Sequence, residues 1–165
     1  MDEADLELLS RAVESLLRQE AFAAVVERLE LDLARSDRTF VWRSVDLGSI
    51  RCELPQGIRS GWIFLLRRDV PSGAHYHPNS VQHMVMVRGK GIANVGCEVT
   101  AMVPFASRET SLAEKWLVIG HNVAHEFTPA GENMIVVSFH TCPADELVEV
   151  DCETGAARLY EPPNA

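Results

Sequence analysis

The stretch Gly73-Ala74-His75-Tyr76-His77-Pro78-Asn79-Ser80-Val81-Gln82 decides how this chain is read. Two histidines one residue apart point to the same face if the backbone is a strand. Imidazoles on one face can grip a single metal ion. A third imidazole, His125, follows Gln82 by about forty residues, just after the turn-forming segment Gly120-His121-Asn122.

Short strand-like runs surround this stretch. Phe40-Val41-Trp42-Arg43-Ser44-Val45 alternates, and Trp62-Ile63-Phe64-Leu65-Leu66 is an apolar run of strand length. Further strands are expected at about 74–77, 82–88, 91–96, 98–103, 115–119, 124–128, 133–140 and 145–150. Turn residues separate them: Pro78-Asn79, Gly89-Lys90-Gly91, Gly96, Gly120 and Pro129-Ala130-Gly131. Many short strands with no helices between them mean an antiparallel sandwich or barrel. If His75 and His77 point inward, the strand restarts after the Pro78 turn. Gln82, Met84 and Met86 then share one face, and His83, Val85 and Val87 the other. Alternation alone leaves open which set is inside. By chemistry His83 is the stronger metal ligand, because imidazole binds first-row ions better than a carboxamide.

Here the residues resemble a known family. His75-x-His77, four residues, Gln82, six residues and Gly89 look like the first motif of the cupin superfamily, in which Glu stands at the Gln82 position. Gly120 to Phe127 resembles the second motif, PxGxxH. Gly120 stands where proline is expected and Asn122 where glycine is expected; Asn tolerates positive φ better than other non-glycine residues. The resemblance covers about residues 60 to 140. It implies a mainly β, cupin-type jelly-roll barrel, and a metal held by His75, His77, Gln82 and His125. A carboxamide brings no charge to a divalent ion and binds only through its carbonyl oxygen. Some metallocupins that rearrange uronate sugars look like this set, and thiol and diketone dioxygenases of the superfamily resemble it in using three histidines. Such barrels commonly pair as homodimers.

Pocket residues follow from the same parity. Met84, Met86 and Phe127 are expected beside the metal, although apolar walls are also what any barrel core looks like. Arg67 and Arg68 end a strand next to the HxH loop; Arg68 is the candidate partner for a substrate carboxylate, against the plainer reading of a solvated strand end. His83 reads as outward or at an interface, Tyr76 as outward, and His121 and His140 as structural or solvated. Trp62, Phe64 and Trp116 read as packing residues. Some thiol dioxygenases of the superfamily carry a Cys–Tyr crosslink; Cys97 and Tyr160 are the pair to name, and the position of Cys97 argues against it.

Residues 3 to about 35 read as helix, with one stripe at Leu6, Leu9, Val13, Leu16 and Leu17 and a second at Phe22, Val25, Val26, Leu29 and Leu33. A break near Arg18–Glu20 would put the stripes on two helices; one long helix is the alternative. They are either a dimerisation arm or lid, or packing helices that cover one end of the domain. The expected organisation is a helical extension over 1–38, the barrel over 39–160 and a frayed tail over 161–165.

A chain of 165 residues suits one domain with a real core. The net charge of −9 argues against nucleic acid and anionic membrane as partners. No apolar run reaches transmembrane length. The four cysteines show no CxxC, and the acidic N-terminus lacks an apolar signal region, so a cytoplasmic protein with reduced thiols is expected. The first choice of function is an iron(II) dioxygenase acting on a small organic molecule. The alternatives are a Zn, Ni or Mn sugar isomerase or lyase, and a non-catalytic binding cupin.

Overall fold

The structure is a computed structural model that describes residues 3–160; the frayed tail expected over 161–165 lies outside the described residues. Two helices, α1 (Glu3–Leu17) and α2 (Glu20–Ala34), come first, with the break at Arg18-Gln19. Strands β1 (Phe40–Val45), β2 (Ser60–Leu66), β4 (Gln82–Arg88), β7 (Trp116–Ile119) and β9 (Met134–His140) form one sheet in the order β1-β2-β9-β4-β7. Strands β3 (His75–Tyr76), β5 (Gly91–Val95), β6 (Glu98–Ala101), β8 (His125–Pro129), β10 (Val148–Asp151) and β11 (Ala157–Leu159) form the second, in the order β11-β10-β3-β8-β5-β6. All neighbouring strands are antiparallel.

Two cores explain the sequence pattern. Trp62, Phe64, Met84, Met86, Phe127 and Val136 fill the space between the sheets. Ile63, Leu65, Val85, Val137 and Phe139 point the other way, against Leu9, Val13 and Leu29 of the helices. The first sheet is therefore covered on both faces, and β2 and β9 are buried at every residue. Continuous apolar runs are the expected signature of such strands. The helices thus lie on a sheet face rather than over one end of the domain.

Three elements differ from expectation. A 3-10 turn, Leu47–Ser49, follows β1. A helical turn, α3 (Leu112–Lys115), precedes β7, started by a capping box in which Ser111 and Glu114 satisfy each other's backbone amides. Strand β11 was not expected, because Ala157-Arg158-Leu159 is short and fully exposed and pairs only with β10.

Two turn positions have a geometric reason. Gly89 has φ +100°, and a Cβ there would meet Asn133 O at 2.9 Å and Met134 Cα at 3.0 Å. Asn122 has φ 60°, so it supplies the left-handed turn before β8 that the second motif asks of glycine.

Candidate metal centre

The backbone brings the three histidines together before any side chain is considered. His75 on β3 is directly paired with His125 on β8, and His77 follows His75 on the same face. All three rings are buried. The ring centroids of His75 and His125 are 4.3 Å apart, and His77 lies 5.3 Å from each. One nitrogen from each ring falls within 4.8 Å of the others, an arrangement able to hold a metal ion.

Each ring is oriented through its far nitrogen. The Nδ1 atoms of His75, His77 and His125 meet the carbonyls of Gly73 at 2.9 Å, Val148 at 2.8 Å and Val123 at 2.9 Å. A carbonyl only accepts, so each Nδ1 carries the proton and each Nε2 keeps its lone pair. Burial pushes the His77 pKa down to about 4, despite the Val148 carbonyl, and holds His125 well below its usual value, with His75 adding to the effect. His77 and His125 are thereby held in the neutral form, the form that binds metal.

Gln82 rather than His83 faces this triad. Its Nε2 donates to Ser138 Oγ at 3.1 Å, and Ser138 lies 3.0 Å from His140 Nε2. His140 Nδ1 in turn lies 3.2 Å from Ser80 Oγ. With Nε2 committed to Ser138, Gln82 turns its carbonyl oxygen the other way, buried and without a hydrogen-bond partner. His125 Nε2 is likewise buried and unpartnered. His83 lies on the opposite face of β4, turned away from the triad and buried on the helix side of the sheet, and its pKa is lowered chiefly by burial.

A small cavity adjoins the site. Met84 and Phe127 line it, with Phe40, Phe64, Leu147 and Tyr160. Met86 belongs to the core between the sheets but not to the cavity wall. Arg68 is not brought to the site. Its side chain is 67% exposed and 3.9 Å from Asp69, in a surface groove with Glu30 and Glu132. The strand β2 ends at Leu66 beside helix α2, where Arg67 is tied to the carbonyls of Leu33, Ser36 and Arg38. That end of the strand faces the helices.

Three functional candidates were missed. Of the two readings, structural or solvated, His140 takes the structural one: it is fully buried, 5.2 Å from His77, and burial holds its pKa well below the usual histidine value. Tyr160 is buried against Trp42, Trp62, Phe64 and His77; burial first, and the Glu149 carboxylate second, raise its hydroxyl pKa well above 10. Glu149 is buried with Oε2 3.7 Å from His75 Nε2. For His140 a signal existed, since it shares strand parity with Val136 and Ser138. Cys97, in contrast, is exposed, whereas Tyr160 is buried.

The architecture matches solved structures. A mutant salicylate 1,2-dioxygenase from Pseudoaminobacter salicylatoxidans superposes with a TM-score of 0.57 at 11% identity, over 80% of this chain and 38% of that one. An oxalate decarboxylase from Lactobacillus farciminis, in complex with formate, gives 0.52 at 13% identity, over 71% of this chain and 32% of the other. The coconut allergen cocosin gives 0.52 at 15% identity, over 70% and 29%. The chain has the cupin fold. It spans less than two fifths of the length of each of these three proteins. No protein-family model and no curated protein matches its sequence. Within the cupin fold, the histidines occupy β3 and β8 of one sheet, and Gln82 reaches them from β4 of the other. No helix among the described residues is long and apolar enough to cross a membrane.

Proposed function

We propose that this cupin is a metal-dependent enzyme acting on a small, largely apolar organic molecule, and that its chemistry is that of an iron(II) dioxygenase. One observation carries the reading: three buried histidines, each fixed through Nδ1 by a backbone carbonyl, turn their free Nε2 atoms toward one another. The fit to a cation rests on the unpartnered atoms. His125 Nε2 and Gln82 Oε1 are both buried with no donor in reach. An orphaned buried acceptor costs ~1–3 kcal/mol, which a bound cation removes. His75, His77 and His125 would hold iron, with Gln82 Oε1 as a further neutral donor. Bound there, iron supplies open coordination positions for substrate and O₂.

The rest of the site selects and shields. Phe40, Phe64, Phe127 and Leu147 make the wall apolar and exclude water. Such a wall suits a ring or short hydrocarbon better than a sugar, whose hydroxyls each need a partner. The Gln82–Ser138–His140–Ser80 chain fixes the one carboxamide in the site. Two supporting readings concern the whole protein. Free cysteines fit a reducing cytoplasm, and the exposed edge strand β6, with Val99 at its surface, offers a surface for homodimer pairing.

The fold alone does not choose the chemistry, since the similar structures comprise a dioxygenase, a decarboxylase and an allergen. The test is O₂ consumption by iron-loaded protein against panels of thiols, diketones and aromatic acids. Uptake with one class, lost in His125→Ala, is the expected result. No uptake across all panels by protein that retains metal would overturn the oxygenase and favour the non-redox isomerase or lyase.

A further inference from the structure

We propose that Glu149 on β10 is the carboxylate ligand of this centre, supplying the negative charge that Gln82 does not. The inference rests on the reading of the histidine triad as a metal site.

Strand pairing puts Glu149 in place. Strand β10 pairs with β3 through Val150 opposite Tyr76 and Asp151 opposite His75. One step further along that ladder, Glu149 falls opposite His77, on the face that carries both histidines. Its side chain is 6% exposed. Its two oxygens have different surroundings. Oε1 is anchored by Arg158 of β11, with Nη2 at 2.5 Å and Nε at 2.9 Å. Oε2 has no hydrogen-bond partner and stands 3.7 Å from His75 Nε2.

That last pair is the unexplained contact. His75 Nδ1 is committed to the Gly73 carbonyl, so Nε2 is the ring atom that faces Glu149. His75 Nε2 and Glu149 Oε2 face each other in a buried place at 3.7 Å, beyond hydrogen-bond distance. A buried, unpartnered carboxylate oxygen beside a ring nitrogen is a place for a shared cation. Atoms each about 2.1 Å from one ion can stand at most ~4.2 Å apart, so the 3.7 Å separation lets His75 and Glu149 share an ion, while Glu149 stands outside the 4.8 Å grouping of the three imidazoles and would close on the ion when it binds. A surface groove lined by Gly73, His75, Glu149, Asp151 and Arg158 gives an ion a way in from this side. With Glu149 coordinated, an Fe(II) site carries a net charge of about +1 rather than +2.

The test uses Co(II) as probe, on full-length protein purified without a metal-affinity tag and stripped with chelator. Wild type, Glu149→Gln, Arg158→Gln and His125→Ala are titrated by visible absorption and by competition with a chelating dye. Expected is one Co(II) per wild-type chain. Glu149→Gln should bind 10–100-fold more weakly with an altered d–d spectrum, and Arg158→Gln should keep the wild-type spectrum. In Co(II)-loaded wild-type crystals, which need no variant to fold, a Glu149 oxygen should lie about 2.0–2.2 Å from the ion. The proposal falls if Glu149→Gln keeps wild-type affinity and spectrum while His125→Ala loses binding. The metal reading then stands without Glu149 as a ligand. A Glu149 oxygen beyond about 3 Å from the crystallographic ion overturns it equally. If the wild type binds no Co(II), the metal reading and this proposal fall together.

Discussion

Removing the Ser138 hydroxyl tests how the site is held. Ser138 is fully buried, and its Oγ bridges Gln82 Nε2 at 3.1 Å and His140 Nε2 at 3.0 Å. Ser138→Ala leaves both nitrogens buried with no partner. Each orphan costs ~1–3 kcal/mol, and because the two share one bridge their costs overlap, giving about 2–4 kcal/mol in total. A domain of this size has roughly 5–15 kcal/mol of stability, so the variant folds. Its melting temperature should fall by roughly 5–15 °C. The variant also frees Gln82 to turn its amide, so Co(II) affinity should drop about 10–100-fold. Ser10→Ala is the matched control. Ser10 Oγ accepts from Trp116 Nε1 at 3.0 Å and donates to the Leu6 carbonyl at 2.7 Å, in the helix-side core. It should lose ~1–3 kcal/mol of stability and no metal affinity. Urea denaturation and Co(II) titration on both variants give the answer. Wild-type stability and affinity in Ser138→Ala would refute the view that this hydroxyl aims Gln82 at the centre.

The remaining predictions concern the scaffold and protonation. Gly89→Ala should cost ~1–3 kcal/mol, because φ is +100° and the new Cβ meets backbone atoms at 2.9 and 3.0 Å. Gly131→Ala, whose Cβ would meet only the Lys90 side chain at 3.6 Å, should cost less in the same denaturation assay. Leu9→Ala, at a fully buried position, should cost ~2–5 kcal/mol and leave Co(II) binding unchanged, since its core lies outside the sheet sandwich. Metal-free protein should weaken in mild acid. The His77 pKa is about 4 folded against 6.5 unfolded, so the unfolded chain binds more protons between those values. Its contribution is complete above pH 6.5 and falls as pH drops toward 4, by about 2 kcal/mol at pH 5. Urea midpoints of chelated protein at pH 7.5 and 5 that coincide would contradict the burial of neutral rings.

The sequence made some of this legible and hid the rest for identifiable reasons. His75, His77 and Gly89 lie in one short segment whose spacing is local, and His125 follows a turn that Asn122 announces. Strand parity grouped Gln82 with Met84 and Met86, but which face was inside depended on the helices. With α1 and α2 covering the outer face, β2, β4 and β9 lost the alternation that marks a solvated side. The same loss hid His140, whose run Met134–His140 is buried at every residue. Glu149, and the place of Tyr160 beside His77, were hidden for another reason. They reach the site only because β10 pairs with β3, a contact across some seventy residues that no local pattern reports. Arg68 misled because nearness in sequence to the HxH loop was taken as nearness in space, whereas β2 delivers it to the end of α2.

The most direct test of the account is the metal content of protein made without an affinity tag. Elemental analysis after gel filtration should find close to one first-row transition ion per chain in the wild type. His75→Ala and His125→Ala, checked as folded by circular dichroism, should hold almost none. Wild-type protein that takes up no ion, even after incubation with Fe(II) or Co(II), would contradict the claim that these three histidines form a metal centre.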